Sequence, residues 1–350
     1  MWDERQLRAV LDSLPRLTIA VAGDFFLDRY LDIDARLTEK SVETGLDAYQ
    51  VVAVRNSPGA GGTVANNLAA LGVGRVAAVT VVGEDGEGFD LRRELGRRGI
   101  DASLVIESPQ RRTPTYTKPM LCEHGGHARE LNRLDIKNRE PMPAVLVREI
   151  ARRLDQVVAE ADAVVVADQV SEPDCGVMTV AIRERLAELA VRYPNKIIIA
   201  DSRDRIGQYY NVIAKPNRSE CLRAVGRTAD DVDLALMRDA TARLARRTRR
   251  AVFCTLGAEG ILVVDPANGG AVQAPAHAVS GPIDIVGAGD SATAGIVCAL
   301  ACGATLANAA ALGNIVASIT IQQIGTTGTA TPEQVIARGR EVVRAVDSGL

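Results

Sequence analysis

Pro282-Ile283-Asp284-Ile285-Val286-Gly287-Ala288-Gly289-Asp290-Ser291 is followed by an apolar run of small residues, Ala292 to Cys302, that reads as a buried helix. An irregular segment containing Pro275 and Pro282 precedes it. Two glycines therefore flank an alanine at a helix start, and a carboxylate follows directly. Glycine lets the backbone turn so that successive N–H groups point into one cavity. A helix N-terminus adds unpaired donors and the positive end of the macrodipole. Such a pocket suits an anion, most simply a phosphoryl group carrying developing charge, held by the N–H groups of Gly287, Ala288 and Gly289. Asp290 would stand beside it, placed to take a proton from an attacking hydroxyl. The same residues also read as an ordinary helix start, with a glycine turn and Asp290 as cap. Asp284, on the other side of the turn, favours the anion reading.

Working outward, the chain of 350 residues is 47% hydrophobic, enough for one large α/β domain or two smaller ones. A net charge of −3 and an aromatic content of 3% leave neither a basic footprint nor stacking surfaces for nucleic acid. The short arginine clusters, such as Arg246-Arg247 with Arg249-Arg250, read as solvated helix faces and ends. Six cysteines without a Cys-x-x-Cys pair and three histidines make a zinc site improbable on spacing. The start, Met1-Trp2-Asp3-Glu4-Arg5, does not read as a signal peptide, and the apolar run at 292–302 is too short to span a membrane. A cytoplasmic protein is expected.

Strand patterns at 17–21, 76–82, 163–167, 196–200, 212–214 and 251–255 alternate with helical patterns at 63–71, 87–98, 144–160, 176–192 and 230–247. This predicts a mostly parallel sheet with helices on both faces. Two apolar helices follow the glycine turn, and a last helix is expected over 332–346. Two β-rich pieces, at about 30–55 and 112–134, interrupt the alternation, the second as a hairpin around Glu123-His124-Gly125-Gly126. They predict a small sheet serving as a lid on a single domain of residues 1–350. An exposed edge of that sheet invites pairing, so a homodimer through the lid is one expectation.

Further motifs lie where strands end. Gly23-Asp24, with Asp28, could accept hydrogen bonds from the vicinal hydroxyls of a sugar, or make a turn. Gly61-Gly62 opens a helix where a ligand can approach the backbone, with Asn66 one turn on. Asn217 and Glu220 share one helical face; they either hold hydrated magnesium and triphosphate oxygens or form a capping box. Thr255-Leu256-Gly257-Ala258-Glu259-Gly260 is either a phosphate loop or a hairpin turn. The alanine-rich run Leu306–Ile319, with Asn314, packs in a core or against an adenine. Gly72-Val73-Gly74-Arg75-Val76-Ala77 lies in the order helix, turn, strand, the reverse of a dinucleotide fingerprint, and no Walker A motif occurs.

Asp284-x-x-Gly287-Ala288-Gly289-Asp290 resembles the C-terminal signature of the ribokinase-like (phosphofructokinase-B) carbohydrate kinases. Gly61-Gly62-x-x-x-Asn66, Asn217-x-x-Glu220 and Thr255-x-Gly257-x-x-Gly260 are similar to that family's other landmarks, in the same order, over roughly residues 18–331. Asp24-x-x-x-Asp28-Arg29-Tyr30, Thr117-Lys118, Arg133-Leu134-Asp135, Ala167-Asp168 and Ala200-Asp201 resemble the kinase domain of bacterial heptose-7-phosphate kinases. With no nucleotidyltransferase stretch following in the sequence, a stand-alone kinase of that type is expected.

The resemblance implies a ribokinase-like three-layer α/β fold and an ATP-dependent kinase acting on a sugar hydroxyl. Asp290 would be the base. Asp24, Asp28, Gly61, Gly62 and Asn66 would hold the sugar, and Thr255, Gly257, Gly260 and Asn314 the nucleotide. Asn217 and Glu220 would organise Mg2+ with ATP. The Gly325-Thr326-Thr327-Gly328 turn could hold K+ near Asp284, but Val286 stands where heptose kinases usually carry a threonine hydroxyl. If the acceptor bears a phosphate, Arg29, Arg36, Lys118, Arg133 and Arg203 are candidate cations, although Asp201-Ser202-Arg203 lacks the lysine of the heptose kinases at its third place. The alternatives are a kinase for an unphosphorylated sugar or nucleoside, and a non-catalytic binding protein on the same fold.

Overall fold

The computed structural model describes residues 2–122, 128–228, 232–267, 269–325 and 327–347, with side chains to 342. Ten strands form the central sheet. Their spatial order is Ala271–Ala274, Ile261–Val264, Val252–Thr255, Ile213–Ala214, Ile197–Ser202, Ala163–Asp168, Thr18–Gly23, Arg75–Gly83 and Ile100–Asp101, with Val105–Ser108 also pairing to Arg75–Gly83. The sheet is parallel except for the two strands at the first edge. The edge strand Ala271–Ala274 lay outside the sequence expectation because a four-residue run in a polar stretch carries little periodicity.

Strand alternation sends successive side chains to opposite faces. Ile19 and Val21 enter one apolar layer with the helices Glu4–Ser13, Gly61–Ala70, Gly86–Arg97, Ala288–Ala301 and Leu306–Thr320. Ala20 and Ala22 enter the other with Ala144–Glu160, Val180–Arg192, Arg218–Ala224 and Leu234–Thr248. The helix Ala144–Glu160 shows the expected stripe, burying Leu146, Ile150, Leu154, Val157 and Val158. No described helix is long and apolar enough to cross a membrane.

A second sheet of five strands is built from Phe25–Asp34, Val51–Ala60, Thr115–Cys122, Ala128–Glu130 and Leu134–Ile136. It begins earlier and ends later than the 30–55 expectation, because Phe25, Phe26 and Leu27 are buried strand residues at its root. In the second piece, Ala128–Glu130 pairs antiparallel with Cys122–Met120, and Leu134–Ile136 returns separately on Thr117–Thr115. The expected hairpin tip at 123–126 lies outside the described residues, as does Thr326. The helix expected from 176 begins at Val180, where Thr179 caps it; the preceding Cys175–Met178 stretch is drawn inward by Asp24.

Candidate active site

Every group of interest lies where the parallel strands end, as open α/β sheets favour. At the glycine turn, Gly287 adopts φ +80°, and the helix Ala288–Ala301 starts one residue later. The turn brings two helix starts together: a Cβ at Gly287 would lie 3.5 Å from the Thr63 methyl, in the first turn of Gly61–Ala70. Ala288 corrects the expected trio of donors, because its N–H is given to the Ile285 carbonyl at 3.1 Å. The N–H groups of Gly287, Gly289 and Asp290 have no acceptor among the described residues, so the turn still offers three donors. The Asp284 carboxylate accepts from Val286 N–H at 3.0 Å and Gly325 N–H at 3.2 Å, tying the turn to the 325 loop.

Asp290 is half-buried and enclosed by charge. Loss of solvent, then the neighbouring Asp201, pushes its carboxyl up to about 7, against the pull of Lys215 and Arg203. Lys215 is buried, with its Nζ 3.0 Å from the Asp201 carboxylate. Glu220 is also pushed up, by burial and then by Asp201. Asn217 and Glu220 form a complete capping box: Asn217 Oδ1 accepts from Glu220 N–H at 2.9 Å, and Glu220 Oε2 accepts from Asn217 N–H at 2.8 Å. Capping leaves Glu220 Oε1 and the Asn217 amide nitrogen without a hydrogen-bond partner among the described residues, so a hydrated Mg2+ with triphosphate fits there. Three acidic or metal-binding side chains do not converge anywhere among the described residues.

Thr255 meets this box directly, through a parallel bridge to Asn217 and its N–H bond to the Pro216 carbonyl. Gly257 and Gly260 close the turn beyond it, with Gly260 N–H donating to the Gly257 carbonyl at 3.0 Å. Asn314 is buried and gives its amide hydrogens to the Ala274 and Pro275 carbonyls at 2.9 and 3.0 Å. Its observed work is holding the segment after the edge strand.

Two expected sugar contacts have internal partners. Asp24 is 3% exposed, and its carboxylate accepts from the N–H groups of Gln169, Val170 and Val177 at 2.8, 3.0 and 2.7 Å. Those three bonds gather the 169–177 loop and occupy Asp24, so the structure corrects the sugar-binding expectation for this residue. Burial and Asp168 raise its carboxyl to about 6 against the pull of those bonds. Gly61 and Gly62 sit under Phe25 and Pro58, where a Cβ would clash, so packing at the root of the small sheet already requires them. Asn66 is half-buried and free of hydrogen bonds among the described residues.

Asp28 remains aimed at the site from the small sheet. It is raised by burial first and opposed by Lys118 and Arg133, and it acts in turn on Asp290. Lys118 lies 3.6 Å from Asp28 and 3.1 Å from the Tyr30 hydroxyl. Arg133 stacks over Tyr116 at 4.3 Å and grips Asp135 with two bonds. Arg29 is committed to Glu87 and Asp90, and Arg36 to Asp34. The Arg203 side chain is exposed and has no hydrogen bond or ion pair among the described residues, yet it acts on both Asp290 and Tyr116. Asp201, Lys215 and Tyr116 were missed as site residues. A signal existed for the first two: each is a charge placed directly after an apolar strand run, Ile197–Ala200 and Val212–Ala214.

The pfkB family carbohydrate kinase pattern matches residues 28–334. The protein named "Bifunctional protein HldE" from Trichlorobacter lovleyi is 29% identical over 96% of this chain and 65% of its own length. The protein of the same name from Geobacter metallireducens is 32% identical over 90% of this chain and 61% of its own. The chain thus spans about two thirds or less of these relatives. Among solved structures, phosphofructokinase-2 from Escherichia coli in complex with potassium superposes with a TM-score of 0.71 at 19% identity, covering 94% of this chain and 99% of that one. Ribokinase from Arabidopsis thaliana complexed with ribose and ATP gives 0.66 at 18%, covering 92% and 98%. At those identities the two structures speak for the ribokinase-like fold alone. With an open glycine turn and its carboxylate at the strand ends, and a family pattern spanning most of the sequence, the chain belongs to the pfkB family of carbohydrate kinases.

Proposed function

We propose that the protein transfers the γ-phosphoryl group of ATP to a hydroxyl of a heptose 7-phosphate or a closely similar sugar phosphate. The observation that carries the acceptor is the basic underside of the small sheet. Lys118 and the unpaired Arg203 flank Asp28 and Asp290, so a second phosphate on the acceptor would meet positive charge. The likeness of Asp28-Arg29-Tyr30 and Arg133-Leu134-Asp135 to heptose kinases supports the same choice.

In this reading Asp290 accepts the proton of the attacking hydroxyl, and a value near neutrality suits a base working at physiological pH. The free N–H groups of Gly287 and Gly289 receive the charge that builds on the phosphoryl oxygens. Asp28 and Asn66 orient the sugar. The Asn217 amide and the Thr255–Gly260 turn hold the polyphosphate, and Glu220 holds the hydrated Mg2+, which neutralises phosphate charge. The small sheet covers the site and excludes water as a competing acceptor.

A second reading, a neutral sugar acceptor, is favoured by the carboxylate partners that Arg29, Arg36 and Arg133 already have. ATP turnover against D-glycero-D-manno-heptose 7-phosphate, sedoheptulose 7-phosphate, fructose 6-phosphate, ribose, fructose and adenosine separates the two. Turnover confined to a heptose 7-phosphate supports the proposal. Turnover with a neutral sugar alone overturns the acceptor and leaves the kinase.

A further inference from the structure

Burying an ammonium is costly unless it is paired and hydrogen-bonded. Lys215 is 3% exposed. It follows the strand Ile213–Ala214 and stands two residues ahead of the Asn217 cap. Its single ion-pair or hydrogen-bond partner among the described residues is Asp201, at 3.0 Å. An ammonium carries three donors, so two are left over. The same Nζ lies against the glycine turn: a Cβ on Gly289 would be 3.7 Å from it. Asp201 is held in turn at the end of its strand, where the Thr293 hydroxyl lies 3.5 Å from its Oδ2.

A purely structural ion pair would be expected to spend its donors on the protein around it. Here the spare donors stand beside the turn whose own N–H groups of Gly287, Gly289 and Asp290 are open. A lysine is a compact point charge on a flexible stem, suited to phosphate oxygens. We propose that Lys215 is a catalytic residue that donates to the non-bridging oxygens of the phosphoryl group in transit, with Asp201 as the positioning residue that aims it. This rests on the reading of the Gly287–Asp290 turn as the place of transfer. In the step, the acceptor oxygen bonds to the γ-phosphorus while the bond from that phosphorus to the bridging oxygen breaks. The acceptor proton goes to Asp290, ADP leaves with the bridging oxygen, and Lys215 keeps its protons throughout.

The test compares magnesium complexes of ADP and of the non-hydrolysable β,γ-imido analogue of ATP, by calorimetry on the full chain. K215M should lose affinity for the imido analogue by roughly ten- to a hundredfold, with ADP binding changed by less than about twofold. K215R should recover part of the loss. Because K215M strands the buried Asp201 charge, the D201N/K215M double variant is measured beside it. It should melt near the parent and show the same selective loss. An equal loss for both nucleotides, or none, overturns the proposal. Turnover with D-glycero-D-manno-heptose 7-phosphate separates the two readings. D290N retaining turnover refutes the turn and the lysine together. D290N losing turnover while K215M keeps it refutes the lysine alone.

Discussion

Replacing Asp290 with Asn should make the protein more stable as it abolishes turnover, and the stability gain should depend on pH. Burial and Asp201 hold the carboxyl at about 7 in the fold, against an ordinary value of 3.8. Below pH 4 the group is protonated in both folded and unfolded chains and makes no difference. As pH rises from about 4 to 7 the unfolded chain releases this proton first, so the folded state loses stability until its own carboxyl ionises. Roughly three pH units at ~1.4 kcal/mol each give a ceiling of about 4 kcal/mol. Asp290 is only half-buried, and an anion at a helix N-terminus recovers some energy, so ~1–3 kcal/mol is the working figure. At ~2.1 cal/mol/K per residue over 350 residues, that gain corresponds to roughly 1–4 °C in melting temperature. Thermal melts of parent and D290N at pH 5 and pH 8 test this. The Asn variant should melt higher at pH 8, with the gap shrinking by more than half at pH 5. An equal gap at both values, or a less stable variant at pH 8, refutes the argument that Asp290 is held against its solvation.

The same carboxyl should govern the rate: kcat/KM should rise about tenfold per pH unit on the acid side and level off above about 7. D201N should move that midpoint downward by removing the second-largest cause of the shift, and an unmoved midpoint would exclude the coupling. Asp24→Asn should destabilise the fold by ~2–4 kcal/mol, since its amide nitrogen would face N–H donors in the 169–177 loop; chemical denaturation reads this, and a neutral effect would argue against the three-bond anchor. Asn217→Ala should cost ~1 kcal/mol through the lost cap and, in addition, weaken ATP affinity; loss of stability without loss of ATP binding would leave Asn217 a cap only. Arg203→Ala should raise KM for a sugar phosphate with kcat little changed, and an unaltered KM would remove Arg203 from acceptor binding.

Asp24 and Gly61-Gly62 show how a motif can be legible while its work is not. Their positions at a strand end and a helix start could be read from the sequence. That Asp24 spends its carboxylate on three loop N–H groups depends on residues about 145 positions away. The capping box at Asn217 and Glu220 was one of two readings open from spacing, and the folded chain uses that cap while leaving the outward atoms of both residues available.

What the amino-acid sequence alone determined was the order of strands and helices, the parallel sheet with helices on both faces, and the glycine turn with Asp290 behind it. These follow from local periodicity and from backbone freedom at particular residues, which act over a few positions at a time. What only the tertiary structure decided was which charges meet. Asp201, Lys215 and Asp290 come from two strand ends and a helix start far apart in the chain, and Ala288 loses its N–H to a carbonyl three residues back. Electrostatic coupling and desolvation depend on distance in space and on exclusion of water, and neither is written in the spacing of residues along the chain.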